Sequence, residues 1–218
     1  MDAVQFVLEQ LKEKADATYL KGMARFGIDS SKALGVRLPE IRKLAKVIKK
    51  DHDLALGLWD TQIHEARMLA SMIADPQQVT PQLMDKWVSD FYSWDICDQV
   101  CGNLFDRTPF AIDKAIEYSS QEEEFVKRAG FVLMAEYAIH IKTAPDEVFI
   151  NLFPIMEREA WDNRNFVKKA VNWALRQIGK RNITLKVKAI NTARNIYNQP
   201  AKSAKWIANN ALNELISK

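Results

Sequence analysis

The chain has 218 residues, of which 48% are hydrophobic, and its formal net charge is +3. This composition predicts a globular protein, not an intrinsically disordered one, and the length allows one large domain or two small ones. The longest uninterrupted apolar run is AGFVLMA at residues 129–135, which is far too short to span a bilayer.

Helical periodicity recurs from one end of the chain to the other. It begins with MDAVQFVLEQLKEK, which does not resemble a secretory signal, so we expect a cytoplasmic protein. The predicted helices cover residues 2–14, 39–50, 62–74, 80–91, 93–106, 109–118, 122–138, 145–158, 164–180, 183–198 and 201–217, and more weakly 16–27. Prolines separate several of them, and the absence of alternating β-branched runs predicts no sheet.

Weak internal repetition accompanies this periodicity. The similar segments are EARMLASMI (65–73), FVKRAGFVLMA (125–135) and FVKKAVNWALR (166–176). Aligning them superposes Arg67, Arg128 and Lys169, with room for a further hairpin between the first two. Hairpins of this size cannot bury their own apolar faces, so they stack. We therefore predict an all-α, curved α-solenoid of about six helical hairpins, forming a single domain over residues 1–218.

Charge is distributed unevenly along the chain. Residues 161–218 hold 12 Lys and Arg against 2 Asp and Glu, a balance of +10. The remainder holds 19 basic and 26 acidic residues, a balance of −7. A basic C-terminal third is a candidate footprint for a polyanion, although charge that only maintains solubility gives the same pattern.

The segment FVKKAVNWALRQIGK (166–180) concentrates this basic charge on one helix face. Lys169, Trp173, Arg176 and Lys180 fall within about 60° of one another at 100° per residue. The opposite arc is apolar and predicts the core face. An indole among cations suits a nucleic acid, where cations bind phosphates and aromatic rings bind sugars or bases, although Trp173 alone would also pack on a neighbouring repeat.

A second segment, YSWDICDQVCGNLF (92–105), places Trp94 and Asp98 four residues apart, on one helix face. Taken singly, Trp94 suits a core, Asp98 an ion pair with a neighbouring arginine, and Arg128 a half-buried salt-bridge donor. On one shared surface, Asp98 weakens DNA binding because it repels phosphate. It becomes useful where positive charge develops, as it does when a glycosidic bond breaks.

The two cysteines, Cys97 and Cys101, also lie four residues apart, and the three histidines are scattered. We interpret the cysteines as small buried hydrophobes, and not as metal ligands or a disulfide. No metal and no cofactor are predicted.

These residues resemble the AlkD-like DNA alkylation repair family, bacterial DNA glycosylases built of HEAT-like repeats. The similarity spans most of the chain and is carried by MARFGI (23–28), GVRLPEIRKLAK (35–46), SWDICDQV (93–100), EFVKRAGFVLMA (124–135) and NFVKKAVNWALRQIGK (165–180). The resemblance implies excision of positively charged N3- or N7-alkylated purines from duplex DNA. The chain would act as a monomer, without a membrane or an obligate protein partner, and associate with the nucleoid when bound to DNA.

The resemblance also implies roles for individual residues. Asp98 aligns with the family's catalytic aspartate, Trp94 and Trp173 with an aromatic pair that packs against the deoxyribose, and Arg128 with an arginine that contacts the backbone beside the lesion. The predicted DNA-binding residues are Lys169, Arg176, Lys180, Lys168 and Arg67.

The sequence departs from the family pattern at Phe26, where a tyrosine is expected, and at Cys97, which replaces an aliphatic residue. Some relatives lack the aspartate and bind DNA structures without catalysis. Two alternatives therefore stand beside the glycosylase: a non-catalytic binder of branched or bent DNA, and a protein-binding α-solenoid with Trp173 as its anchor. The preferred lesion is left open.

Overall fold

The computed structural model describes residues 2–217, and all of its regular secondary structure is helical. The α-helices are α1 (Ala3–Glu13), α2 (Ala17–Met23), α3 (Leu38–Ile48), α4 (His52–Asp60), α5 (His64–Ile73), α6 (Pro81–Ser89), α7 (Trp94–Asn103), α8 (Ala111–Ser119), α9 (Glu124–His140), α10 (Asp146–Ile150), α11 (Phe153–Glu159), α12 (Asn165–Gly179), α13 (Ile183–Tyr197) and α14 (Lys202–Ile216). Among these helices none is both long and apolar enough to cross a membrane.

Most helix ends follow from local sequence. The side chains of Asp16, Asp51, Thr80 and Asn182 each accept a backbone N–H from the first turn of the helix they precede. Prolines occupy the first turn of α3, α6 and α11, where a missing N–H costs nothing. These signals explain why most predicted ranges agree with the observed helices to within a few residues.

The helix prediction was wrong in two places. Helix α4 was not predicted, although Asp51 caps it and Ala55, Leu58 and Trp59 bury its inner face. The range 145–158 was predicted as one helix but consists of α10 and α11, because Pro154 lies in the first turn of α11 and cannot donate the N–H that a continuous helix needs.

The helices form two rows, as the solenoid prediction requires. Helices α3, α5, α7, α9, α12 and α14 form an inner row in which each helix contacts the next. Helices α4, α6, α8, α10, α11 and α13 form the outer row. One continuous core lies between the rows and includes Trp59 and Trp87, whose rings stack with centroids 4.0 Å apart.

An N-terminal segment, residues 16–37, packs against the inner row through Glu65 of α5. The buried Glu65 carboxylate accepts backbone N–H groups from Leu34, Gly35 and Val36 at 2.7–3.0 Å. Gly35 has a φ of 85°, and a Cβ there would lie 2.7 Å from the Asp16 carbonyl oxygen. Glu65 therefore orders this segment as one wall of a cleft.

Candidate active site and nucleic-acid interface

Four inner helices share a common register. Helices α5, α7 and α9 begin at residues 64, 94 and 124, and α12 begins at residue 165. Their fifth residues are, in order, Met68, Asp98, Arg128 and Lys169. The predicted alignment of Arg128 with Lys169 is consistent with this register, and the intervening hairpin is α6–α7. Arg67 was aligned one residue too early, because Met68 occupies the equivalent position.

The structure does not favour Arg67 as a DNA contact. Its side chain is buried, its guanidinium donates to the carbonyl oxygens of Trp59 and Asp90 and to the Asp90 carboxylate, and it stacks over the Trp59 ring. These contacts link α5 to the α6–α7 connection. A guanidinium engaged in this way has no free donor face for a phosphate.

A cleft of about 300 Å³ lies between the N-terminal segment and the inner row. Trp94 and Asp98 of α7 line it together with Trp173 of α12, so the two segments singled out in the sequence face the same space. The other lining residues are Tyr19, Met23, Ile28, Val36, Leu38, His64, Met68, Asp95, Gln99 and Glu136.

Asp98 and Arg128 form a bidentate ion pair at the edge of this cleft. Arg128 Nε donates to Asp98 Oδ1 at 2.9 Å and Nη2 to Oδ2 at 2.8 Å, while Nη1 donates to the Phe166 carbonyl at 2.6 Å. The side chains are only 17% and 7% exposed, so burial raises the pKa of Asp98 and the Arg128 charge opposes that rise. Arg128 therefore holds and orients the carboxylate.

Trp94 is held in place from the opposite wall. Its Nε1 donates to the Phe26 carbonyl at 2.9 Å, whereas the Phe26 ring is exposed. Gly27, with a φ of 71°, ends that turn, and a Cβ there would lie 3.3 Å from the Phe166 ring. The segment around Phe26 thus lies against both α7 and α12. Its hydrogen bond to Trp94 uses a backbone atom, which the departure from tyrosine does not alter.

The basic face of α12 is only partly free. Lys169 is exposed, and no acidic partner binds it among residues 2–217. Arg176 and Lys180 both form ion pairs with Glu214 of α14, and Lys168 lies 5.6 Å from the centroid of the Trp206 ring. Lys169 is therefore the least encumbered of the four cations predicted on this helix.

Sequence reasoning missed the residues that hold the start of α7. One of them is Asp95, in the first turn of α7. It is buried, and it binds His64 Nε2 at 2.9 Å and the Ser93 hydroxyl at 2.5 Å. Burial opposes ionisation, but these hydrogen bonds hold the pKa of Asp95 below its ordinary value. The pairing joins α5 to α7, which local periodicity does not reveal.

Glu136 of α9 was also missed. It follows the apolar run AGFVLMA directly, and a charged residue at the end of such a run is the only sequence signal for it. Within residues 2–217, Glu136, Asp106 and His140 form the one cluster whose ligand atoms lie close enough, within 4.8 Å of one another, to hold a metal ion. Cys97 and Cys101 are buried free thiols, as predicted.

Comparison with known proteins identifies the family. Residues 7–215 match the sequence profile described as DNA alkylation repair enzyme. The chain belongs to the DNA alkylation repair enzyme family. This match confirms, over residues 7–215, the resemblance to the DNA alkylation repair family that the motifs indicated.

A solved structure shares the fold of this DNA alkylation repair family member. That structure represents what is described as a new family of proteins related to the HEAT-like repeat DNA glycosylases with affinity for branched DNA structures. The TM-score is 0.78 at 19% sequence identity, and the match covers 98% of this chain and 95% of the other. It confirms the HEAT-like α-solenoid. Comparison of the sequence with curated proteins finds no significant match.

Proposed function

We propose that this protein is a monofunctional DNA glycosylase that excises N3- or N7-alkylated purines from duplex DNA as a monomer. The observation that carries the proposal is the presence of two indoles and an arginine-bound carboxylate at one cleft: Trp94, Trp173 and Asp98. An alkylated purine already carries positive charge, so it departs as a neutral base without protonation. The enzyme has only to stabilise the cationic sugar that remains and to supply water.

Each side chain has a separate task in this proposal. The Asp98 carboxylate stabilises the oxocarbenium-like sugar, since a buried negative charge acts strongly on positive charge that develops nearby. The two indole faces hold the deoxyribose and attract its cationic form, each contributing roughly 0.5–2 kcal/mol. Arg128 positions Asp98 by its two parallel hydrogen bonds, which leaves Lys169 as the principal phosphate contact of α12.

The proposal predicts that Asp98→Asn loses excision but keeps DNA binding. The amide cannot stabilise the sugar cation, so the single-turnover rate on duplex containing N7-methylguanine should fall by about 10²–10³-fold. Abasic sites are measured by alkaline cleavage, and affinity for undamaged duplex is measured separately. Asp98→Glu, which keeps the charge, should retain more activity than Asp98→Asn.

The matched control is Asp113→Asn, which removes the same charge from an exposed position on outer helix α8. It should excise at the wild-type rate, and circular dichroism establishes that both variants are folded. Excision by Asp98→Asn at the Asp113→Asn rate would remove Asp98 from the mechanism.

Binding of branched DNA without catalysis is the second candidate function. It is favoured by the similar solved structure, whose proteins are described as having affinity for branched DNA, and by the occupation of both Asp98 oxygens by Arg128. It predicts tight binding to four-way junctions and no abasic sites in alkylated duplex. The half-buried position of Trp173 does not favour the protein-binding solenoid, which needs an exposed anchor.

A further inference from the structure

Three side chains with metal-binding atoms converge where α9 ends. Glu136 and His140 are four residues apart on that helix, so they share one face. Asp106 faces them from the short 3₁₀ turn Phe105–Arg107 that follows α7. One ligand atom from each of the three lies within 4.8 Å of the other two. A turn and a helix that are distant in the chain thus bring one imidazole and two carboxylates to the same point.

Asp106 is the most enclosed member of this cluster, and only one of its carboxylate oxygens has a partner. The side chain is 0% exposed. Oδ2 is bound to His140 Nδ1 at 2.5 Å, but Oδ1 has no hydrogen-bond partner within residues 2–217. A buried carboxylate oxygen without a partner is destabilising, because it has lost water and gained nothing in its place. Asp106 can therefore accept one more bond at a position that solvent does not reach.

Glu136 also lacks hydrogen-bond partners. Its side chain is 14% exposed, and no donor among residues 2–217 forms a hydrogen bond to its carboxylate. His140 Nδ1 is 3.7 Å from Oε2, which is longer than a hydrogen bond. The carboxylate lies beside Gly102 of α7, where a Cβ would be 2.6 Å from Oε1. The missing side chain at Gly102 is what leaves room for this carboxylate.

The two carboxylates have little positive charge around them. Among the described residues, His140 alone lies within ion-pair distance of Asp106 or Glu136. Arg107 follows Asp106 in the chain, but its side chain is exposed and its Nη1 donates to the Asn103 carbonyl oxygen at 2.8 Å. Buried charges in proteins are paired or coordinate metals. Two carboxylates that share one imidazole and have no other donor are suited to the second arrangement.

We propose that Asp106, Glu136 and His140 bind one Zn²⁺ ion, with water as the fourth ligand. Imidazole nitrogen and carboxylate oxygen are ligands that zinc takes in four-coordinate sites. Ligand atoms around a tetrahedral zinc lie about 3.3–3.6 Å apart, close to the 3.7 Å between His140 Nδ1 and Glu136 Oε2. The shorter contact of His140 with Asp106 lengthens when the imidazole turns. That side chain is 36% exposed, so it can move and the ion can enter beside it.

Zinc takes the place of the proton in the hydrogen bond between His140 Nδ1 and Asp106 Oδ2. Nδ1 bonds to the ion through its lone pair, the ring keeps one proton on Nε2, and the displaced proton goes to solvent. The ion connects the turn after α7 to the end of α9 and stabilises the folded chain, whatever reaction the protein performs. A zinc ion here differs from the prediction of no metal, which rested on cysteine and histidine spacing, because two of the three ligands are carboxylates.

The test is a calorimetric titration of the full chain with zinc chloride, after treatment with EDTA and dialysis. The wild type should bind one Zn²⁺ per chain, and excess zinc should raise its melting temperature. Glu136→Gln and His140→Ala should each weaken zinc affinity by about 100-fold or more, since each removes a ligand. The matched controls are Glu147→Gln, exposed on α10, and His52→Ala, at the start of α4, and both should bind zinc as the wild type does.

X-ray absorption spectroscopy of the wild-type zinc complex identifies the ligands without any variant. It should show only nitrogen and oxygen atoms, at about 2.0–2.2 Å from the ion. Sulfur at about 2.3 Å would place the ion at Cys97 or Cys101 and overturn the proposal. A wild type that binds no zinc also overturns it, as do site variants that circular dichroism shows to be folded and that bind zinc as tightly as the controls. If a site variant does not fold, the absorption spectrum of the wild type decides.

Discussion

At the scale of the residue, two glutamates carry carboxyl groups of opposite character. Burial raises the pKa of Glu136 to about 7. Glu214 accepts hydrogen bonds from Lys180 and Arg176, which lower its pKa to about 2. At neutral pH, Glu214 is therefore fully ionised and cancels part of the charge of α12, while Glu136 is close to half-protonated. The two glutamate pKa values shift in opposite directions because the surroundings of the two carboxyl groups differ.

The Glu136 pKa predicts how stability depends on pH. The folded protein holds this proton more tightly than the unfolded chain, so its stabilising contribution is complete below about pH 4.5 and is lost as the pH rises to about 7. Glu136→Gln avoids this loss. Its free energy of unfolding in urea should exceed that of the wild type by roughly 1–3 kcal/mol more at pH 8 than at pH 4. A difference that is independent of pH would contradict the prediction.

At the scale of the element, the hairpin of α8 and α9 depends on Gly130 at its closest approach. A Cβ on Gly130 would lie 2.5 Å from the Ser119 backbone nitrogen and 2.8 Å from the Ala115 carbonyl oxygen. Both are backbone atoms of α8 and cannot move aside as a flexible side chain does. Since α9 carries Arg128 and Glu136, this packing also determines where two groups of the site lie.

Gly130→Ala should therefore destabilise the protein although alanine is the better helix former. We expect a loss of roughly 3 kcal/mol in the free energy of unfolding, because α8 and α9 must separate. Gly22→Ala is the control: Gly22 lies in α2 with no neighbouring atom within 4 Å of the added Cβ, so that variant should be unchanged or gain up to about 1 kcal/mol. Equal stability of the two variants, by urea denaturation, would refute the close approach.

At the scale of the whole molecule, the C-terminal balance of +10 is spread over both rows of the solenoid. Lys169 lies exposed on inner helix α12, which also contributes Trp173 to the cleft, whereas Lys188 lies exposed on outer helix α13. Arg176 and Lys180 are bound to Glu214. If DNA lies along the inner row, affinity should depend on which row a cation occupies and not on net charge alone.

The salt dependence of duplex binding measures this difference. Lys169→Ala should reduce the slope of log affinity against log salt by about one phosphate contact, and Lys188→Ala, which removes the same charge from the outer row, should not. Glu214→Gln should increase the slope and the affinity, since it releases Arg176 and Lys180. Equal slopes for the two lysine variants would show that α12 does not face the DNA.

The amino-acid sequence alone determined most helices, the solenoid class and the pairing of Trp94 with Asp98 on one helix face. These features depend on periodicity, prolines and four-residue spacings, all of which act within a few residues of the chain. Even here the omission of α4 and the one-residue error at Arg67 show that periodicity finds helices better than it finds their register.

Only the tertiary structure decided which charges are available for function. Arg67 is paired with Asp90, Arg176 with Glu214, and Asp98 with Arg128. Each of these pairs joins residues more than 20 positions apart in the chain. Glu136 enters the site only because α9 packs against Gly102. The sequence shows which side chains are ionisable. Burial and neighbours distant in the chain determine the pKa of each group and how many of its hydrogen-bonding atoms are unpaired. Burial and these neighbours arise only when the helices stack.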